Sequence, residues 1–151
     1  MTPEPGPMVE VSLNRIGEWP DWSEWREEIE RAAGVALAAV APDLGGELSI
    51  TLLTEAEIQE MNVRFLGRDH PTDVLSFSLG DDAGLIGDVY LSPEEVRRNS
   101  IAHGVPHREE ALRVVIHGTL HALGLDHPDE RREESDMFRL QERLLRSLGR
   151  S

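Results

Sequence analysis

The sequence predicts an α+β protein, a small mixed four-stranded sheet packed against helices, with its chemistry on a buried helix near the C-terminus. Three observations carry this. Four short segments have strand-like alternation or apolar runs. Helix start signals recur between and after them. The two C-terminal helices follow the last strand rather than alternating with strands.

In chain order, residues 1–7 are rich in proline and glycine and read as loose. Met8–Leu13 (MVEVSL) alternates like a strand. Asp21 is placed to cap one long helix, WSEWREEIERAAGVALAAVA, which Pro42 ends. Gly46–Leu53 is the second strand. Thr54 and Glu57 form a capping box that opens the helix EAEIQEMNVRFL. After the break GRDHPT, Asp73–Leu79 is the third strand and Leu85–Ser92 the fourth. Ser92, Pro93, Glu94 and Glu95 mark a helix start, and that helix runs to about Ala102. A helix over Pro106–Leu123 has an apolar middle, ALRVVIHGTLHAL, and should be buried. The last helix is expected over Asp129–Leu148. Nothing divides residues 1–151, so one domain is expected.

Composition bounds the function. The chain has 151 residues, no cysteine and a formal charge of −14. Without thiols, any metal must be held by His, Asp or Glu. Residues 1–60 hold thirteen acids against three bases. So acidic a chain is a poor stand-alone ligand for DNA or RNA, because phosphates need cations. All fifteen basic residues are arginine, whose guanidinium fork suits phosphate. No apolar run reaches the ~20 residues that a membrane helix needs, and the N-terminus does not look like a signal peptide. Together with the lack of cysteine, this makes a cytoplasmic location the expectation.

The most informative stretch is HGTLHALGLDH, His117–His127. His117 and His121 stand one helical turn apart on one face and can chelate one metal ion. Gly124 can end the helix in a left-handed turn and bring His127 back toward them. Three imidazoles would leave a fourth tetrahedral position for water, which is the mark of a catalytic zinc site. The spacing is that of the metzincin zinc proteases, HExxHxxGxxH, whose glutamate is the general base. Gly118 occupies that position here and cannot accept a proton. A small residue there lets another part of the chain approach, or leaves room beside the metal. Asp126 has two readings, an acceptor orienting a ligand imidazole and a cap for the turn that follows.

The other candidates read as structural. His70, His103 and His107 are expected at the surface, and Phe65, Phe77 and Tyr90 in the core. The tryptophans of EWPDWSEW should pack onto the first helix. Thr72, Asp73 and Ser76 read as turn caps and a strand edge.

HGTLHALGLDH closely resembles the H-G-x-L-H-x-x-G-x-D-H signature of the YbeY family of bacterial metal-dependent endoribonucleases. MNVRFLGRDHPTDVLSF (Met61–Phe77) and IGDVYLSPE (Ile86–Glu94) are similar to the family's other two blocks, in the same order. The resemblance implies a zinc ion, or another divalent metal such as nickel, held by His117, His121 and His127. It implies single-strand-specific cleavage in ribosomal RNA maturation, at the 3′ end of the small-subunit RNA, and a part in ribosome quality control. The implied partners are ribosomal RNA and small-subunit components, with no membrane and no DNA. Many family members carry an arginine right after the aromatic residue matching Phe65. Here that residue is Leu66, which leaves Arg64 and Arg68 as candidate substitutes. Direct hydrolysis and attack by the 2′-OH both remain open. So do a zinc peptidase-like hydrolase and a non-catalytic ribosome-assembly factor with a structural metal.

Overall fold

In the computed structural model, residues 8–79, 84–126 and 135–149 are described. Strands β1 (Val9–Asn14), β2 (Gly46–Leu52), β3 (Val74–Ser78) and β4 (Leu85–Leu91) form one sheet in the order β1-β2-β4-β3. The first three in that order run parallel, and β3 pairs antiparallel with β4, Leu75 opposite Tyr90. The sheet is therefore mixed, as expected. Among the described residues the helices are α1 (Pro20–Glu24), α2 (Arg26–Val40), α3 (Glu55–Leu66), α4 (Pro93–His103), α5 (His107–Ala122) and α6 (Asp136–Leu148), with a short 3-10 helix at Ile16–Glu18.

Period-2 alternation gives the sheet two faces. Leu48, Ile50, Val89 and Leu91 meet Ile29, Ala32, Ala33 and Ala36 of α2 and Val115, Ile116 and Leu120 of α5 in the main core. Each large aliphatic side chain so buried contributes roughly 1.5–3 kcal/mol. The opposite face holds a smaller cluster, Leu53, Ile58 and Leu75, with Met61, Phe77 and Tyr90 packed on it under α3. Strand β3 thus serves both sides, Val74 and Ser76 toward α5, Leu75 and Phe77 toward α3.

Local signals act where the sequence places them. Thr54 Oγ1 accepts from Glu57 N at 3.2 Å, and Glu57 Oε1 accepts from Thr54 N at 2.9 Å, closing the capping box. Ser92 caps α4, with Pro93 in its first turn.

Two helices depart from expectation. The first is broken in two: Trp19, not Asp21, is the N-cap of α1, and Pro20 takes its first turn, where a fixed φ is favourable. The chain then bends at Trp25, whose N–H bonds to Trp22 O at 3.1 Å. This sets both indoles against the His107 ring, Trp25 at 5.2 Å and Trp22 at 6.1 Å between centroids. His107 is accordingly half-buried rather than on the surface, and burial lowers its pKa. The last helix starts later than predicted. Ser135 has extended backbone (φ −72°, ψ 153°) and its hydroxyl accepts from Phe138 N at 3.1 Å, so the helix begins at Asp136. The rest of the expected helix, residues 129–134, lies outside the described residues. Among the described residues, no helix is long and apolar enough to cross a membrane.

Candidate metal centre and its cleft

Helix α5 crosses the sheet against β3 and β4 and is flanked by α2, α4 and α6. Its close approach to the sheet depends on Gly118. A Cβ there would stand 2.7 Å from Val89 Cγ1 and 3.0 Å from Val74 Cγ2. Ser76 Oγ donates to Gly118 O at 2.9 Å and ties β3 to the helix at that point. Of the two sequence readings of Gly118, close approach is the one realised. There is no room on this flank for the glutamate of a metzincin protease.

One helical step away, His117 and His121 stand side by side, their ring centroids 4.5 Å apart. Each ring is held by an acceptor. Gln141 Oε1 lies 2.6 Å from His117 Nδ1, and Leu125 O lies 3.0 Å from His121 Nδ1. A carbonyl oxygen can only accept, so both Nδ1 atoms carry the proton and both lone pairs fall on Nε2. This tautomer leaves Nε2 to ligate a metal, and a hydrogen bond of this kind from Nδ1 is the usual support of such a ligand.

The acceptor for His121 is supplied by the helix end itself. Gly124 has φ +96°, Gly124 N bonds to His121 O at 2.9 Å, and Leu125 N bonds to Leu120 O at 3.0 Å. These paired bonds form a Schellman turn, which needs glycine at the left-handed position. The left-handed stop expected at Gly124 is present, and it folds Leu125 back over His121. The acceptor for His117 was not foreseen. Gln141 belongs to α6 and is 4% exposed. Its Nε2 donates to Glu142 Oε2 at 3.1 Å, which leaves its Oε1 for His117. Arg113 in turn holds Glu142 at 3.0 Å. The signal available in the sequence was a glutamine on the inward face of an amphipathic helix, with no way to see its partner.

His127, the third expected ligand, lies outside the described residues. Among the described residues no three metal-capable side chains converge. The donor set that is visible, two imidazoles one turn apart whose Nδ1 atoms each face an acceptor, fits a divalent metal such as zinc or nickel.

The two histidines floor a cleft of about 660 Å³, whose walls include Asn62, Leu66, Arg68, His70, β3 from Val74 to Phe77, and Asp126. Thr72, Asp73 and Ser76 line it too. Asp73 also works structurally, accepting from Asn99 Nδ2 at 3.2 Å. Asn62, another residue that sequence reasoning passed over, is 1% exposed and donates to His70 O at 2.9 Å, pinning the loop that carries Arg68 and His70 to the cleft. Arg68 and Leu66 face the cleft. Arg64 is not among its lining residues and pairs with Glu60 at 3.7 Å on the outer surface of α3. His70 and His103 are exposed, as expected. Phe65 is not in the core: it is 58% exposed.

By fold and site, then, this is an α+β protein with a cleft between an edge strand and a buried helix that presents paired imidazoles, a layout suited to hydrolytic chemistry. Comparison with known proteins narrows the class. The family model described as endoribonuclease YbeY matches residues 14–149, so the chain belongs to the YbeY family. It is similar to the endoribonuclease YbeY of Shouchella clausii, 36% identical over 94% of this chain and 96% of that protein. The endoribonuclease YbeY of Treponema pallidum is 47% identical over 66% of each chain. A Thermotoga maritima protein known from its solution structure has the same fold, with a TM-score of 0.62, 31% identity, and coverage of 93% of this chain and 89% of that one.

Proposed function

We propose that this chain is a metal-dependent endoribonuclease that cleaves single-stranded regions of ribosomal RNA, at the 3′ end of the small-subunit RNA, in ribosome maturation and quality control. The observation that carries the reading is the histidine pair: His117 and His121, tautomers fixed, on the floor of a cleft in a chain of this family. His127 completes the proposed ligand set. A divalent metal bound there supplies Lewis acidity, polarising a phosphoryl oxygen and acidifying water.

The chain's own residues do the rest. Gln141 and the Leu125 carbonyl accept from the two Nδ1–H groups and hold both imidazoles in the tautomer that ligates through Nε2. Arg68 faces the cleft and takes the role that an arginine at position 66 plays in relatives. Its guanidinium stabilises the extra negative charge on the phosphate as the bond to the leaving oxygen breaks. Leu66 makes that wall apolar. The peptidase-like alternative is disfavoured by Gly118, whose flank is filled by Val89 and Val74.

The test uses purified, metal-loaded protein on single-stranded and fully duplex RNA of the same sequence. Cleavage of the single strand, lost with His121→Ala and with a chelator, is expected, along with about one zinc per chain by elemental analysis. Cleavage that survives His121→Ala sinks the site. No cleavage by any metal-loaded preparation, with ribosome assembly still failing in cells lacking the protein, supports the non-catalytic assembly-factor reading instead.

A further inference from the structure

Phe65 is a large apolar side chain left in water, 58% exposed in the last turn of α3. It is not an isolated exposed ring. It stands 5.5 Å from Phe77 at an interplanar angle of 61°, and Phe77 stands 6.1 Å from Tyr90. Phe77 lines the cleft. The edge-on contact fixes Phe65 from one side and leaves the ring otherwise accessible.

The helix end then sets a cation three residues further on, at the cleft that Phe77 also lines. Gly67 takes the left-handed conformation (φ +67°) that stops α3, and Arg68 N bonds back to Asn62 O at 3.2 Å. Arg68 therefore emerges at the cleft wall. Among the described residues its side chain makes no ion pair or hydrogen bond, whereas Arg15, Arg98, Arg108 and Arg113 are all held by carboxylates. In a chain of net charge −14, an unclaimed guanidinium facing a cleft is complementary to an anion.

We propose that Phe65, backed by Phe77, is a stacking platform for one unpaired base of a single-stranded RNA whose adjacent phosphate pairs with Arg68. The proposal rests on the endoribonuclease reading and deepens it. A base inside a duplex already has both faces stacked, so an exposed ring next to the cleft favours a strand whose bases are free. Selectivity for single strands then has a physical source in this chain.

The probe is a short fluorescein-labelled 2′-O-methyl oligoribonucleotide, checked to be intact on a gel. Binding to the full chain is measured by fluorescence anisotropy across salt concentrations. Phe65→Ala and Phe65→Leu should each raise Kd roughly 5- to 100-fold, and Phe65→Trp should leave it near the wild-type value. Phe65→Leu decides between stacking and plain apolar contact, since it keeps the apolar bulk and loses the aromatic face. Arg68→Ala should reduce the slope of log K against log salt by about 0.7, and the Phe65 variants should leave that slope unchanged. An abasic version of the oligonucleotide should bind wild type and Phe65→Ala alike. If Phe65→Leu binds as well as wild type, or Phe65→Ala weakens the abasic oligonucleotide as much as the intact one, the platform is refuted while the endoribonuclease reading stands. If wild type binds no single-stranded RNA, both fall.

Discussion

Replacing Gly118 by alanine tests the packing account of the site with a change of sign. In the interior of a helix, Gly→Ala stabilises by about 1 kcal/mol through helix propensity alone. At Gly118 the new methyl would sit 2.7 Å from Val89 Cγ1 and 3.0 Å from Val74 Cγ2. Val89 is fully buried on a strand bonded on both sides, and a β-branched side chain has little freedom to move away. Overpacking of this kind costs roughly 1–3 kcal/mol, and so close a contact belongs in the upper part of that range. The net expectation for Gly118→Ala is a loss of about 1–2 kcal/mol, read in urea as a lower midpoint with an unchanged slope. Val89→Ala removes the obstructing methyl at a cost of its own, but in that background Gly118→Ala should become neutral or stabilising. The coupling between the two changes should then be about 2 kcal/mol, a large value that only residues in contact show. If Gly118→Ala stabilises the wild-type protein, or has the same effect with and without Val89, α5 does not approach the sheet as described. Gly118→Glu, which restores the protease motif in sequence, should destabilise further and yield no peptidase activity.

Gln141→Leu should leave His117 without its acceptor. The Nε2–H tautomer should then gain population in the metal-free protein, visible in long-range proton–nitrogen NMR, and zinc affinity should drop roughly 10- to 100-fold. Arg68→Ala should lower kcat on single-stranded RNA by roughly 100-fold or more, and Arg64→Ala, which alters only an exposed pair, should leave it nearly unchanged. Arg15 and then the Thr54 N–H hold the Glu57 carboxyl at about 2, below its ordinary 4.5. Its contribution to stability is complete above about pH 4.5 and is lost as pH falls toward 2. The urea midpoint of Glu57→Gln should lie below that of wild type near neutral pH, and the gap should close as acid is added. A gap independent of pH would mean that the charge of Glu57 plays no part.

Elements set by local chemistry were legible in advance. The capping box at Thr54 and Glu57, the Ser92-Pro93 start and the glycine stop after α5 each depend on residues within a few positions of one another. The structure reproduces them nearly to the residue. What escaped were features made by distant partners. The bend at Trp25 serves a contact with His107, far along the chain, and a continuous helical pattern cannot announce it. Gln141 reaches His117 across 24 positions. Phe65 was expected inside because phenylalanine usually is, but it sits in the exposed last turn of α3 and touches the sheet through Phe77 alone among the ring contacts of the described residues. In the site, the sequence named both described imidazoles and the turn that follows them, left Arg64 and Arg68 as alternatives of which Arg68 lines the cleft, and missed Gln141, which holds His117 in place.

The same helix explains why the pattern keeps a protease's ligand spacing without its base. Successive residues on a helix point about 100° apart, so His117 and His121 can share the cleft only if position 118 turns away from them. In this fold the direction it turns is occupied by the sheet. Glycine there lets β3 and β4 close onto α5, and the Ser76–Gly118 bond then sets β3 as the wall of the cleft. A glutamate at that position would have to push the wall away to reach a substrate, removing the cleft it was meant to serve. Under the proposed function, a proton acceptor for RNA cleavage has to come from elsewhere than position 118, and the cleft lining offers Asp73 and His70. With position 118 turned into the sheet, edge strand β3, Leu66 at the end of α3 and the loop that carries Arg68 line one cleft together and can all face the proposed RNA strand at once.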